Sequence, residues 1–294
     1  MGEEKKVIGI DIGGTKVHIG LVQHGKVIKE VRLSTSANAP KEQILDEIVD
    51  GVAQVLTPDV EGIGIGVPGL VDEEQGIVHN VQNIPSWREV NLRGHLEEYF
   101  RIPVFVTNDA NAFAAGEKIY GKGKAYNNIA GITLGTGFGT GIIIDNSLYS
   151  GKFSSAGEFG GIPYLDQTLE DYCSGKFFLN KYGIPGAKVQ KLAEEGDQRA
   201  LDILNEYGHH LGNGIKIILY AISPEAIILG GSVCSCFPYF KGAMENSIAS
   251  FPFKPVTDQL VIKCSSIGNS AILGAAALFK MRNIKEPAGD KVFA

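Results

Sequence analysis

Cysteine is scarce in this 294-residue chain. Four residues, Cys173, Cys234, Cys236 and Cys264, are too few to staple a protein of this size, so no disulfide scaffold is expected. No apolar run approaches the ~20 residues that a membrane-spanning helix needs. There is no block of basic residues, and 27 Lys+Arg against 33 Asp+Glu leave a net charge of −6, a poor surface for the phosphates of nucleic acid. The start, Met1-Gly-Glu-Glu-Lys-Lys6, lacks the apolar segment of a signal peptide, and Lys6 stands where a myristoylation pattern needs Ser or Thr. These absences predict a soluble, reduced, cytoplasmic protein with neither a membrane nor a nucleic-acid partner. What is present is core material. With 44% hydrophobic and 20% charged residues the chain is not disordered, and its length suits one large or two medium domains at roughly 150 residues each.

Glycine is abundant, at 38 residues, and it is clustered. The strand-like run Val7–Ile12 meets Gly13-Gly14-Thr15, returns as Lys16–Val22, turns at His24-Gly25 and continues as Lys26–Leu33. Helical spacing of Ile44, Leu45, Ile48, Val52, Val55 and Leu56 predicts a helix over Lys41–Leu56, followed by a strand at Glu61–Val67. The order then repeats: strand Asn128–Leu134, glycine turn Gly135–Gly139, strand Thr140–Ile144, a short strand Ser147–Tyr149, a helical stretch over Ala187–Ile222, and a strand Glu225–Leu229 ending at Gly230-Gly231. A meander, a helix and a parallel strand occurring twice predict an α/β protein of two related domains facing each other across a cleft. The expected boundaries are 1–117 plus about 270–294 for the first domain and 118–269 for the second.

Two glycine turns in equivalent positions of a repeat suit anion binding, because a residue without Cβ lets backbone N–H groups approach phosphate. Alone, each turn reads equally as a tight β-turn. Asp11 precedes the first turn, where a carboxylate can hold Mg²⁺ beside phosphate. Neither turn is a Walker loop, and neither opens a helix as a dinucleotide-binding GxGxxG does. Asn108-Asp109 falls where a strand ending at Thr107 gives way to a helix, the carboxyl end at which α/β folds place ligands. Asp109 reads as a base on an alcohol, as a helix cap, or as both. Glu158, in Gly157-Glu-Phe-Gly-Gly161, and Glu170 suit the hydroxyls of a polyol, although each alone reads as an ordinary polar residue. Gly66-Val-Pro-Gly69 is a turn by composition. Cys234-Ser-Cys236 has no second pair at zinc spacing, so no zinc site is expected. His209-His210 reads as structural, and Cys173 lacks a nearby histidine that would make it a nucleophile.

Asp11-Ile-Gly-Gly-Thr-Lys16, Asn108-Asp109-Ala-Asn111, Leu134-Gly-Thr-Gly-Phe-Gly139, Gly157-Glu158 and Ile227-Ile-Leu-Gly-Gly231 stand in the order found in the ROK family of repressors, open-reading-frame proteins and sugar kinases. The chain resembles that family from about Val7 to Lys280. The resemblance implies two ribonuclease H-like domains of the actin/hexokinase/Hsp70 ATPase type. It implies ATP with Mg²⁺, the phosphates lying on Asp11, Gly13, Gly14, Thr15 and Lys16 and on Gly135, Thr136, Gly137 and Gly139. Gly230 and Gly231 would face the adenosine, and Asp11 would lie near the metal. Asp109 would take the proton from a sugar hydroxyl, with Asn108, Glu158, Glu170 and Gly69 around the sugar.

The activity so implied is glucokinase-like: ATP-dependent phosphorylation of a hexose, glucose at its 6-hydroxyl first, with fructose, mannose and N-acetylhexosamines as alternatives. A non-catalytic sugar-binding protein is the remaining reading. A homodimer is expected by resemblance. A regulator with a DNA-binding domain before the first strand is not, since six residues precede Val7. The sequence departs from the family at one place. Gly161 replaces a histidine that binds zinc and contacts sugar, Thr168 replaces a cysteine, and Ile162–Thr168 contains neither Cys nor His, so the family's zinc loop is missing here.

Overall fold

The computed structural model describes residues 5–81 and 83–285, with side chains to residue 281. The Met1–Glu4 stretch read for targeting signals and residues 286–294 of the expected first domain lie outside the described residues. The described chain divides into two units. One contains residues up to Ala125 with Gly141–Ala156 and the chain from Ser266 on; the other contains Tyr126–Thr140 and Gly157–Ser265.

The first sheet grows from alternating β-branched residues. Strands β1 (Lys6–Ile12), β2 (Lys16–Gln23) and β3 (Lys26–Ser34) meander, helix α1 (Lys41–Val55) crosses over, and β4 (Val60–Val67) pairs parallel with β1. After α2 (Leu92–Phe100), β5 (Val104–Asn108) pairs parallel with β4 and leads into α3 (Asp109–Ile119). The order is β3-β2-β1-β4-β5. Ile8, Ile10, Ile12, Ile63 and Ile65 are buried, in one core with Ile44, Ile48 and Val52 of α1. Period 2 puts the intervening glycines on the opposite face. There the C-terminal helix Ser270–Lys285 lies on bare backbone: a Cβ on Gly9 or Gly64 would fall 2.1 or 1.9 Å from the carbonyl oxygens of Ile272 and Ala275. The alternation in Gly62-Ile-Gly-Ile-Gly66 thus encodes a sheet with an apolar face and a flat face.

The second sheet repeats the plan. Strands β6 (Ile129–Leu134), β7 (Phe138–Ile144) and β8 (Ser147–Leu148) are followed by helices α4 (Leu169–Cys173), α5 (Lys176–Tyr182), α6 (Gly186–Glu194) and α7 (Gln198–Ile222). Then come β9 (Ala226–Gly230), α8 (Phe237–Ile248) and β10 (Val261–Cys264), and the order is β8-β7-β6-β9-β10. The twofold meander expected from the glycine pattern is present, with the same strand order in both sheets. Phe177, Phe178, Tyr207 and Phe240 fill a fully buried aromatic core beneath the second.

Two local readings are corrected. The helical stretch over Ala187–Ile222 is broken, because Gly196 adopts φ +83° and Asp197 then caps a new helix by accepting from the Ala200 N–H at 2.8 Å. Of Asn108 and Asp109, the residue at the cap position of α3 is Asn108, although both carboxamide and carboxylate accept from the Ala110 N–H at 2.8 Å. Where the family's zinc loop is missing, a hairpin of Pro163–Tyr164 with Gln167–Thr168 stands instead. Its Tyr164 hydroxyl meets His210 Nδ1 at 3.0 Å and accepts from Asn213 at 2.9 Å.

Candidate active site

Register decides what meets at the carboxyl end of the first sheet. Asp11 of β1 lies opposite Gly66 of β4, and Val67 of β4 lies opposite Asn108 of β5. Gly66 has no side chain to fill the space between: a Cβ there would be 3.6 Å from Asp109 Cα. Two carboxylates therefore share a strand end, Asp11 partly buried and Asp109 open to solvent. Burial first, and then the charge of Asp109, lift the Asp11 carboxyl from 3.8 to about 6. Burial also raises the Asp109 carboxyl, against the pull of backbone N–H groups at the start of α3. A carboxylate raised in this way binds a proton more firmly than an unperturbed one, which suits a general base. Asn108 is oriented by its own bond, Nδ2 donating to the Gly69 carbonyl at 3.1 Å, so Gly69, Asn108, Asp109 and Asp11 are brought together.

The first glycine turn follows directly from Asp11. Gly13 N–H donates to the Lys16 carbonyl at 2.8 Å, and Thr35 Oγ1 donates to the Gly13 carbonyl at 2.8 Å. Thr15 and Lys16 are exposed. Behind the turn, a Cβ on Gly14 would meet Asn83 Cβ at 2.2 Å.

The second turn is held by side chains. Glu170 Oε2 accepts from the Phe138 N–H at 3.0 Å, Ser174 Oγ donates to the Thr136 carbonyl at 3.2 Å, and Gly175 N–H donates to the Gly135 carbonyl at 2.7 Å. A Cβ on Gly137 would lie 2.7 Å from Glu170 Oε2, so glycine there admits the carboxylate. The turn is shorter than the expected Gly135–Gly139, because β7 already begins at Phe138 and Gly139 is its second residue. Gly231, at φ +89°, lies so close to β6 that a Cβ would strike the Leu134 carbonyl oxygen at 2.3 Å. That contact brings Gly230-Gly231 beside Gly135. From there a cavity of about 360 Å³ opens, lined by Gly135, Thr136, Lys176, Asn180, Gln190 and Ser232 among others.

Glu158 is exposed on the loop after Gly157, whose φ of +91° and close approach to the Thr140 carbonyl exclude a side chain. Glu170 sits on the second turn, with one oxygen on Phe138 and the other 2.6 Å from Lys176 Nζ. Two charged residues were passed over in the sequence. Lys176 follows the Ser174-Gly175 pair. Glu73 accepts from Ser150 and Ser154 at 2.9 Å each and from Thr107, fastening the strand end before Asn108 to the loop at 150–154. A carboxylate in a loop gives no sequence signal for hydroxyl partners 77 and 81 residues away.

All four cysteines are free thiols. Among the described residues no three His, Cys, Asp or Glu side chains converge to hold a metal by themselves. A magnesium ion needs fewer: it commonly takes one or two carboxylates and completes its shell with phosphate and water. Asp11 fits that requirement, because a cation beside it offsets the repulsion between two neighbouring carboxylates. No helix among the described residues is long and apolar enough to cross a membrane.

The chain matches the ROK family over residues 7–282. It is 32% identical to the xylose repressor of Bacillus spizizenii over 92% of this chain and 76% of the repressor. It is 28% identical to the glucokinase of Thermotoga maritima over 94% of this chain and 98% of that enzyme. Among solved structures, a ROK family glucokinase from Streptomyces griseus, in complex with glucose and AMPPNP, superposes with a TM-score of 0.78 at 31% identity, covering 93% and 98% of the two chains. The paired sheets of identical strand order are those of the two-domain, actin-like ATPase fold, and the chain belongs to the ROK family.

Proposed function

We propose that this protein is a sugar kinase that transfers the γ-phosphoryl group of ATP to a hexose, with glucose at its 6-hydroxyl as first candidate. The observation that carries this reading is Asp109, a strand-end carboxylate whose surroundings raise its pKa, flanked by an oriented Asn108 and by the Asp11 glycine turn. Asp109 takes the proton of the attacking hydroxyl as its oxygen bonds to the γ-phosphorus. The bond from that phosphorus to the bridging oxygen breaks, and ADP departs with the electron pair. Asn108, held to the Gly69 carbonyl, and Glu158 receive the sugar hydroxyls. The two glycine turns hold the phosphates, and Gly230-Gly231 faces the adenosine at the cavity beside Gly135. Asp11 would hold Mg²⁺, which supplies charge neutralisation on the phosphates.

A coupled ADP-release assay with ATP and Mg²⁺ tests the reading across glucose, fructose, mannose, GlcNAc and ManNAc, with a zinc chelator present. The expected outcome is sugar-dependent turnover insensitive to the chelator. The second reading is a non-catalytic sugar-responsive protein, favoured by the 32% identity with a xylose repressor. Sugar binding without release of ADP from ATP in the presence of any of the five sugars would select it.

A further inference from the structure

Two amides flanking the second glycine turn are already engaged. Gly135 N–H already donates to the Gly137 carbonyl at 3.1 Å, and Phe138 N–H donates to Glu170. That contact also sets a carboxylate against the turn. A polyphosphate arriving there would meet a negative neighbour and a reduced set of donors. The compensating charge is on Lys176, whose Nζ stands 2.6 Å from the second oxygen of Glu170 and whose side chain lines the same cavity as Gly135 and Thr136.

We infer that Lys176 is the cation that binds the nucleotide's phosphates at the second glycine turn, exchanging part of its contact with Glu170 for a phosphate oxygen. This deepens the kinase reading and rests on it. The side chains of Lys176 and Glu170 are 41% and 31% exposed, so their pair is screened by solvent and contributes little, typically under ~1 kcal/mol. Exchange of a carboxylate for a more highly charged phosphate therefore costs little, and the flexible four-carbon stem permits it. The hydrogen bond to Glu170 and its charge also hold the ammonium pKa up, so the group is a cation throughout the working pH range. Asn180, Gln190 and Ser232 line the same cavity and offer polar groups suited to the uncharged part of the nucleotide.

Calorimetric titration of the full chain with ATP and with adenosine, for wild type, K176Q and K176R, tests the assignment. K176Q is expected to raise the Kd for ATP about tenfold, the scale of one lost charge-assisted hydrogen bond, while K176R stays within about threefold. Adenosine affinity should be the same in all three proteins. A K176Q protein that binds ATP as wild type does, or that loses ATP and adenosine affinity alike, would overturn the inference while leaving the kinase reading standing. A wild-type protein that binds adenosine but not ATP would overturn both.

Discussion

The two glycine turns occupy equivalent places in a repeated sheet and are anchored differently. The first, Gly13-Gly14-Thr15, is tied by backbone and Thr35 to its own meander, and its acidic residue lies in the strand, at Asp11. The second, Gly135–Gly139, is braced from outside the hairpin by Glu170, Ser174 and Gly175 at the junction of α4 and α5. One turn therefore comes with a carboxylate pair at a strand end, and the other with an ion pair and a cavity. The same local motif can serve different chemistry, because the groups that surround a turn come from whatever the topology packs against it.

The largest test of that contrast is Asp109→Asn. It should lower kcat by about 10²–10⁴-fold, the usual contribution of a positioned base, and leave ATP affinity near wild type. Near-normal kcat would remove Asp109 from the base role. The pair itself is probed by Asp11→Asn in the absence of nucleotide. The folded pKa of about 6 exceeds the unfolded 3.8, so the folded state keeps this proton longer and stability is lost as pH rises through that window. Asparagine removes that loss, so urea unfolding should show a gain on the order of 2–3 kcal/mol at pH 8 and none below about pH 4.

Glycine substitutions separate the turns next. Gly14→Ala drives a Cβ into Asn83 at 2.2 Å and should cost about 1–3 kcal/mol of stability. At Gly135 a Cβ meets nothing within 4 Å. Gly135→Ala should leave the thermal midpoint unchanged yet weaken ATP binding, because the methyl group occupies the approach to the turn. Equal losses of stability in both variants would erase the distinction.

The smallest effect is a pH slope of opposite sign in the second unit. Burial lowers the His210 pKa below 6.5 despite its contact with Glu206, so the unfolded state binds the proton more readily there. Stability present above that range is lost as pH falls through it. His210→Gln should flatten the fall in stability, read by urea unfolding, as pH drops from 7.5 to 5.5.

Much of the fold was legible in the chain. The runs of Ile and Val between glycines marked strands, and two meanders with glycine turns marked the duplication. Asn108-Asp109 marked a strand-to-helix junction, and the strand does end at Asn108 with the helix starting at Asp109. The break at Gly196 was masked, because the apolar period runs on through it and a single glycine with a following Asp gives a weak stop signal. Glu170 illustrates the other limit. Its residue type suited a hydroxyl ligand, yet its oxygens are engaged by Phe138, 32 positions away, and by Lys176.

The sequence alone determined the elements, the repeat and the family, because periodicity and turn chemistry act over a few residues. Tertiary structure decided which charges meet. Asp11 reaches Asp109 only through the parallel register of β1, β4 and β5 across a strand with glycine at position 66. Lys176 reaches the second turn because the Gly175 N–H docks on the Gly135 carbonyl and Glu170 of the preceding helix engages its ammonium. Electrostatic partnership depends on distance and burial, and those are fixed when strands far apart in the chain are set side by side.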